Sequence, residues 1–288
     1  MIIVKLMGGL GNQMFQYALG RNLALKNKVE LRLDISWFSK QRDDGATNRT
    51  YRLGSFMIEE NFTTEEESAR LMKTSWRDYF QAKERRSWVR QEKIKFEPWI
   101  LKVKDNVYLE GYWQSEKYFQ DNQEIIRKDF ELKNEWSTAG KEWLEQINSC
   151  QAVSVHIRRG DYANDQKTKN YHGECAKEYY ERAGQEAIRG FTNPVFFVFS
   201  DDLPWAQENI KLPGKIRWVT GTKNQPAEEI RLQSACQHNI IANSTFGWWG
   251  AWLNKNPHKK VWAPRNWFAD AEAESQASDI VPHNWLKI

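Results

Sequence analysis

Arg158, Arg159 and Asp161 close a β-branched run, Val153-Ser-Val-His-Ile-Arg-Arg-Gly-Asp-Tyr162. Val153, Val155 and Ile157 alternate with Ser154, His156 and Arg158, the period-2 pattern of a strand, which sets His156 and Arg158 on one face. Gly160 then breaks the strand. In open α/β sheets ligands bind beyond the carboxyl ends of the strands, where this arginine pair would stand. Two guanidiniums there form a permanently charged, bidentate fork suited to a phosphate or diphosphate. A plain Arg–Asp ion pair at a strand end accounts for the tetrapeptide alone about as well.

Three further constellations bear on the choice. Gly9-Leu-Gly-Asn-Gln-Met14 follows an apolar run and opens an amphipathic segment. A dinucleotide fingerprint would need Gly or Ala where Met14 stands, although Asp34 lies near the place of a ribose-binding acid. Gly11, Asn12 and Gln13 offer a small residue and two amides at a helix start, suited to hydroxyl or phosphate contact; an ordinary strand–helix turn is the simpler alternative. Phe197-Val-Phe-Ser-Asp-Asp-Leu-Pro204 ends an apolar strand in two carboxylates. One is expected to cap the next helix, and the other has the acceptor geometry for the N1 and N2 donors of guanine. A metal pair is disfavoured, because no Asp-x-Asp triplet occurs and Arg158 and Arg159 already supply positive charge. Finally, Asn243-Ser-Thr245 sits where a buried strand meets an aromatic helix, and its hydroxyls and free N–H groups suit a phosphate as well as they suit a simple N-cap. A general-base role is conceivable for His156, Asp161, His172 or Glu174. His156 reads equally as a hydrogen-bonding strand residue, and Asp161 reads better as a group orienting the arginines. Esterase, metalloprotease and P-loop signatures are missing from the sequence.

These residues must be positioned by alternating strands and helices. Residues 2–6, a helix from Met14 to Lys26 and a strand from Val29 to Asp34 make an opening βαβ unit. Residues 36–60 are polar and turn-rich. Thr64 and Glu67 have capping-box spacing for a helix reaching about Lys73. A strand is expected at 107–113, with helical patterns at 116–130 and 138–148. The domain boundary is placed at Ser149–Gln151, giving units 1–149 and 150–288. In the second unit, strands near 152–158, 194–199, 216–219, 238–242 and 260–263 alternate with helices near 174–189, 203–209, 226–237 and 246–255, which implies a parallel sheet covered by helices. The whole reads as α/β: two Rossmann-like halves facing a central cleft that takes a nucleotide.

Composition narrows the classes. The 288 residues suffice for two domains, and the formal charge of +4 is only mildly basic. Without a long basic tract or an RNP or zinc-finger pattern, nucleic acid is not an expected partner. Lys83–Arg90 is the most basic run, explained as well by a solvated helix face as by contact with an anionic membrane. Three widely spaced cysteines, Cys150, Cys175 and Cys236, argue against a disulfide framework and a zinc site. The fifteen tryptophans are mostly expected in packing, although indoles also stack on sugar rings. The N-terminal run reads as a strand rather than a signal peptide, and no stretch of 18 apolar residues occurs, so a cytoplasmic protein is expected.

Taken together and in order, Gly9-Leu-Gly-Asn-Gln-Met-Phe-Gln-Tyr-Ala18, Val155-His-Ile-Arg-Arg-Gly-Asp-Tyr162, Phe199-Ser-Asp-Asp202 and Asn239-Ile-Ile-Ala-Asn-Ser-Thr-Phe-Gly-Trp-Trp-Gly-Ala-Trp252 resemble the bacterial α-1,2-fucosyltransferases of glycosyltransferase family 11. The resemblance reaches the C-terminus through Asp279-Ile-Val-Pro and Trp285-Leu-Lys-Ile288 and skips only 36–60 and 75–105. It implies a GT-B fold, with an N-terminal acceptor domain and a C-terminal donor domain. It implies inverting, metal-independent transfer of fucose from GDP-β-L-fucose to the 2-hydroxyl of a terminal galactose, with no cofactor. By the same resemblance Arg158 grips the diphosphate with His156 and Arg159 in support, and Asp202 reads guanine. Ser244 and Thr245 help hold the phosphates, with Asn243 beside them, and Asn12 and Gln13 lie by the fucose and diphosphate. O-antigen assembly at the inner face of the membrane would make Lys83–Arg90 a peripheral docking segment. Another GDP-sugar transferase with a different linkage, a nicotinamide-dependent oxidoreductase and a non-catalytic sugar-binding module are the alternatives.

Overall fold

The apolar N-terminal run forms β1 (Ile2–Lys5), and Ile2, Ile3 and Val4 are fully buried in the computed structural model. Residues 1–39, 49–73, 80–160, 166–222 and 224–288 are described. With β2 (Leu31–Asp34), β3 (Trp88–Arg90) and β4 (Val107–Glu110), β1 makes an all-parallel sheet in the order β2-β1-β4-β3. A strand buried on both faces reads as a continuous apolar run, as β1 does. The helix after it, α1 (Leu10–Asn27), begins four residues earlier than the periodicity places it. The Gly9 carbonyl already accepts the N–H groups of Asn12 and Gln13, so the glycine-rich loop shrinks to a turn at Gly8, whose φ of +77° suits glycine. The capping box forms as read: Thr64 accepts the Glu67 N–H, and the Glu67 carboxylate accepts the Thr64 N–H, opening α2 (Glu65–Met72). The expected helix at 116–130 is two 3-10 turns followed by α3 (Gln123–Asp129).

The chain falls into two units, Met1–Lys133 with Ser278–Ile280, and Asn134–Ala277 with Val281–Ile288. The break therefore lies at 133/134 rather than at 149/150. The reason is α4 (Thr138–Asn148): its Ile147 is buried with Ala152 and Phe197 of the second unit. Its N-cap Ser137 also donates through N–H and hydroxyl to Glu228, at 2.7 and 2.6 Å.

The second unit is built on β5 (Gln151–Ile157), β6 (Pro194–Ser200), β7 (Lys215–Trp218), β8 (His238–Ile240), β9 (Val261–Ala263) and β10 (Leu286–Lys287). They form one parallel sheet in the order β10-β9-β8-β5-β6-β7. The intervening helices are α5 (Gln166–His172), α6 (Lys177–Ile188), α7 (Leu203–Asn209), α8 (Pro226–Ala235), α9 (Thr245–Leu253) and α10 (Ala271–Ser275). Alternate residues of β5 and β6 supply two cores. Val153, Val155, Phe196 and Val198 pack with Tyr180 and Ala183 of α6, and Ala152, Phe197 and Phe199 pack with Leu232 of α8. Each face of the sheet thus carries helices, the α/β arrangement expected.

Candidate functional site

In the second unit all strands are parallel, but β5, β6 and β7 succeed one another toward one edge of the sheet and β8, β9 and β10 toward the other. The order reverses between β5 and β8, and the crevice beyond the carboxyl ends of two such strands is where α/β sheets bind ligands. β5 delivers His156, Arg158 and Arg159 to that point, β6 beside it delivers Ser200–Asp202, and β8 leads through Ile241–Asn243 into α9.

A web of charge forms there. Arg158 Nη1 lies 2.8 Å from Asp201 Oδ2, and Asp201 Oδ1 accepts the Arg159 backbone N–H at 2.9 Å. Arg159 Nη1 donates to Asp202 Oδ2 at 2.8 Å, its guanidinium lies 4.6 Å from the Trp205 ring centre, and Nε stands 3.8 Å from Glu174. Both arginines are partly exposed. The remaining Asp202 oxygen, Oδ1, accepts the Trp205 N–H and caps α7. Asp202 thus takes the capping role expected of one of the two carboxylates, and its other oxygen is engaged by Arg159. Asp161 lies outside the described residues.

His156 is buried and stacks on Phe246 at 5.4 Å. A Cβ on Gly247 would come within 2.7 Å of its Nδ1, so only glycine lets α9 pack this closely. Burial is the main cause that depresses its pKa to about 4; Arg158 adds to the depression and Asp201 opposes it. At neutral pH the ring is uncharged, a wedge between β5 and α9 beneath the arginines rather than a solvent-facing base. His172 is likewise held below its usual range by burial and by Arg158.

Ser244 is the N-cap of α9, its hydroxyl accepting the Phe246 N–H, and Thr245 is the first helical residue. Asn243, expected beside a phosphate, ties loops together. Its Nδ2 donates to the carbonyls of His172, Gly173 and Trp267 at 2.8, 3.3 and 3.1 Å, and Oδ1 accepts the Cys175 thiol. Its amide fixes the shape of the site.

In the first unit, Gly11, Asn12 and Gln13 occupy the first turn of α1. Gln13 is fully buried: Nε2 donates to the carbonyls of Gly8 and Thr50, and Oε1 accepts the Arg52 N–H. Both Nε2 hydrogens are thus used, and Gln13 clips two loops. Asn12 is half-buried and accepts from Gln114 Nε2 at 2.9 Å.

Asp201, read in the sequence only as one of two carboxylates at a strand end, is the group on which both arginines converge. One group absent from the sequence reading also emerges. Glu229, in the first turn of α8, accepts the Thr222 hydroxyl at 2.8 Å. Burial chiefly pushes its pKa up to about 7; the Thr222 hydrogen bond opposes the rise and nearby Asp201 adds to it. In the sequence it is one of two adjacent acids at a helix start, a pattern that says only "first turn".

The chain matches the model of glycosyl transferase family 11 over residues 1–288. It is 31% identical to an alpha-1,2-colitosyltransferase of Escherichia coli, covering 100% of this chain and 98% of that protein. It is 32% identical to the O-antigen biosynthesis glycosyltransferase WbnK of Escherichia coli, covering 98% and 99%. Half of the chain, 50%, is 32% identical to 41% of the mouse galactoside 2-alpha-L-fucosyltransferase Sec1. Among solved structures, a mutant of Arabidopsis thaliana FUT1 in complex with GDP superposes with a TM-score of 0.54 at 11% identity, over 99% of this chain and 75% of that one; the likeness is one of fold.

Proposed function

The chain belongs to glycosyl transferase family 11, and on that premise we propose that it moves L-fucose from GDP-β-L-fucose to the 2-hydroxyl of a terminal galactose, with inversion and without a metal. The observation that carries this reading is the Arg158–Arg159 pair, held by Asp201 and Asp202 at the switch point beside the start of α9. A diphosphate seated there meets two guanidiniums, the Ser244 and Thr245 hydroxyls and the N-terminal N–H groups of a helix.

The chemistry is leaving-group stabilisation. As the bond from the anomeric carbon to the phosphate oxygen breaks, charge gathers on GDP, and Arg158 meets it with a preorganised donor in place of a mobile cation. The acceptor hydroxyl oxygen attacks the opposite face, its proton passing to the departing diphosphate, and gives the α-linked product. Guanine requires a carboxylate facing its N1 and N2 donors. Asp202 was the sequence expectation, but both of its oxygens are engaged, whereas Glu229 uses Oε1 alone for Thr222. Glu229 is therefore the better reader of the base.

The colitosyltransferase relative supports a second donor. Colitose is fucose without its 3-hydroxyl, so the same diphosphate site serves either sugar. WbnK supports a place in O-antigen synthesis. Among the described residues no helix is long and apolar enough to cross a membrane. The deciding experiment offers GDP-fucose and GDP-colitose to a panel of galactosides in EDTA and reads the linkage by NMR. An α-1,2-fucosyl product is expected; colitosyl transfer alone would replace the donor. No product with either, together with no stabilisation by GDP, would overturn the reading.

A further inference from the structure

The proposed transfer makes no use of the segment Lys83–Lys104 in the first unit. It holds eight basic and three acidic residues, a net +5 against +4 for the whole chain, so the remainder is close to neutral. The fold gathers this charge. Lys83–Arg85 and Pro98–Lys102 are short 3-10 turns, and they meet where the Lys83 ammonium lies 5.6 Å from the centre of the Trp99 ring. The end of α1 joins them: Lys26 Nζ donates to the Leu101 carbonyl at 3.0 Å, and Asn27 Nδ2 to the Val103 carbonyl at 3.1 Å. Exposed Lys26 and Lys28 are thereby brought to exposed Lys102 and Lys104.

Carboxylates neutralise only part of this surface. Lys83 pairs with Glu92 at 2.7 Å and Arg90 with Glu110 at 3.3 Å, and Glu97 is buried. Glu84 and, just beyond the segment, Asp105 are the other acids of the stretch. Among the described residues, Arg85, Lys93, Lys95, Lys102 and Lys104 are exposed and have no ion-pair partner. Like charges held together repel and oppose folding, and an anionic counterpart relieves that repulsion. Two features select a lipid bilayer as the counterpart. The cations stand on 3-10 turns and the three-residue β3, none of them long enough to lie along a nucleic-acid groove. Half-buried indoles are interleaved with them: the Arg90 guanidinium lies 5.2 Å from the Trp88 ring centre, as Lys83 lies over Trp99. Indoles beside ammonium and guanidinium groups are the composition suited to the headgroup level of a membrane.

We propose that this basic surface docks the first unit on an anionic lipid bilayer, with Lys95, Lys102 and Lys104 meeting the headgroups and no helix inserted. The proposal stands apart from the donor and acceptor assigned above. Its test is co-sedimentation with phosphatidylcholine vesicles, with and without about one-third phosphatidylglycerol, over a range of salt. The wild type is expected to pellet with the anionic vesicles alone and to be released as salt shortens the screening length. In Lys95→Gln/Lys102→Gln/Lys104→Gln the partition should fall roughly 100-fold, about fivefold per lysine. Lys211→Gln/Lys215→Gln/Arg217→Gln removes the same charge from exposed positions of the second unit and should partition within about twofold of the wild type. Far-ultraviolet circular dichroism matching the wild type shows that both variants fold. No pelleting of the wild type with anionic vesicles, equal loss in the two triple variants, or equal pelleting with phosphatidylcholine alone overturns the surface. Duplex DNA that binds more tightly than the vesicles, through the same three lysines, would assign it to nucleic acid and overturn the bilayer.

Discussion

Arg158 carries the proposed chemistry, and its partner decides how well. Replacing it with alanine is expected to lower kcat on the order of 10²–10³, with circular dichroism and Tm close to wild type because the side chain is partly exposed. Lysine should rescue little, since a single ammonium cannot hold Asp201 and a phosphate in the planar two-sided way that guanidinium does. Asp201→Asn probes the partner. It removes the charge that helps to raise Glu229, so the pH midpoint for GDP binding should fall below that of the wild type. An unshifted midpoint would separate the two carboxyls. In the wild type GDP affinity should rise with pH through about 7, because Glu229, as assigned to guanine, offers both oxygens as acceptors to its N1 and N2 donors only when ionised. Folding runs the other way. The raised pKa means that the native state holds a proton which the unfolded chain releases above its usual carboxylate range. This group's contribution is therefore complete at low pH and lost as pH rises to about 7. Glu229→Gln should accordingly stabilise the protein at pH 8 by roughly 1–3 kcal/mol while weakening GDP, as denaturant titration and calorimetric binding would show.

At the scale of elements, β5 and α9 meet closely at the end to which the diphosphate is assigned. Gly247→Ala would force a methyl group to within 2.7 Å of His156 Nδ1. It should cost about 1–3 kcal/mol by overpacking and displace the start of α9, so that GDP affinity falls with stability in urea titration and binding measurements. Strands β5 to β9 and most helices of the second unit were legible because apolar runs and capping residues are local signals; β10, two residues long, was not. The arginine pair was legible for the same reason, since a strand pattern carries it to a glycine break. The loop-clipping hydrogen bonds of Gln13 and Asn243 were not legible, because their partners are backbone groups distant in sequence. Thr50 meets Gln13, and His172, Gly173 and Trp267 meet Asn243. No local pattern distinguishes an amide that clips loops from one that waits for a ligand. β3 was hidden as well: it has three residues, ends in exposed Arg90 and lies at the sheet edge, where alternation is too short to register.

At the scale of the whole molecule, two units with separate sheets and cores share one chain, and the chain's far end completes the near unit. Ser278–Ile280 belong with residues 1–133, and Val281–Ile288 return to the second unit, where β10 pairs with β9. The fastening point is Asp279. One carboxylate oxygen accepts the Phe96 N–H and the other pairs with the Lys117 ammonium, links spanning 183 and 162 residues. A carboxylate held this way closes the first unit through charge-assisted hydrogen bonds, and losing both should cost about 1.5–3 kcal/mol. GDP, by contrast, is assigned to groups of the second unit. The two perturbations should therefore separate in hydrogen exchange followed by mass spectrometry. Asp279→Ala is expected to speed exchange in β1 and β4 and leave β5 and β6 near wild type, whereas GDP should slow exchange at the ends of β5 and β6 and the start of α9. Equal acceleration throughout both sheets in Asp279→Ala would mean that the units unfold as one cooperative body, and the far end would then fasten the whole chain rather than its first half.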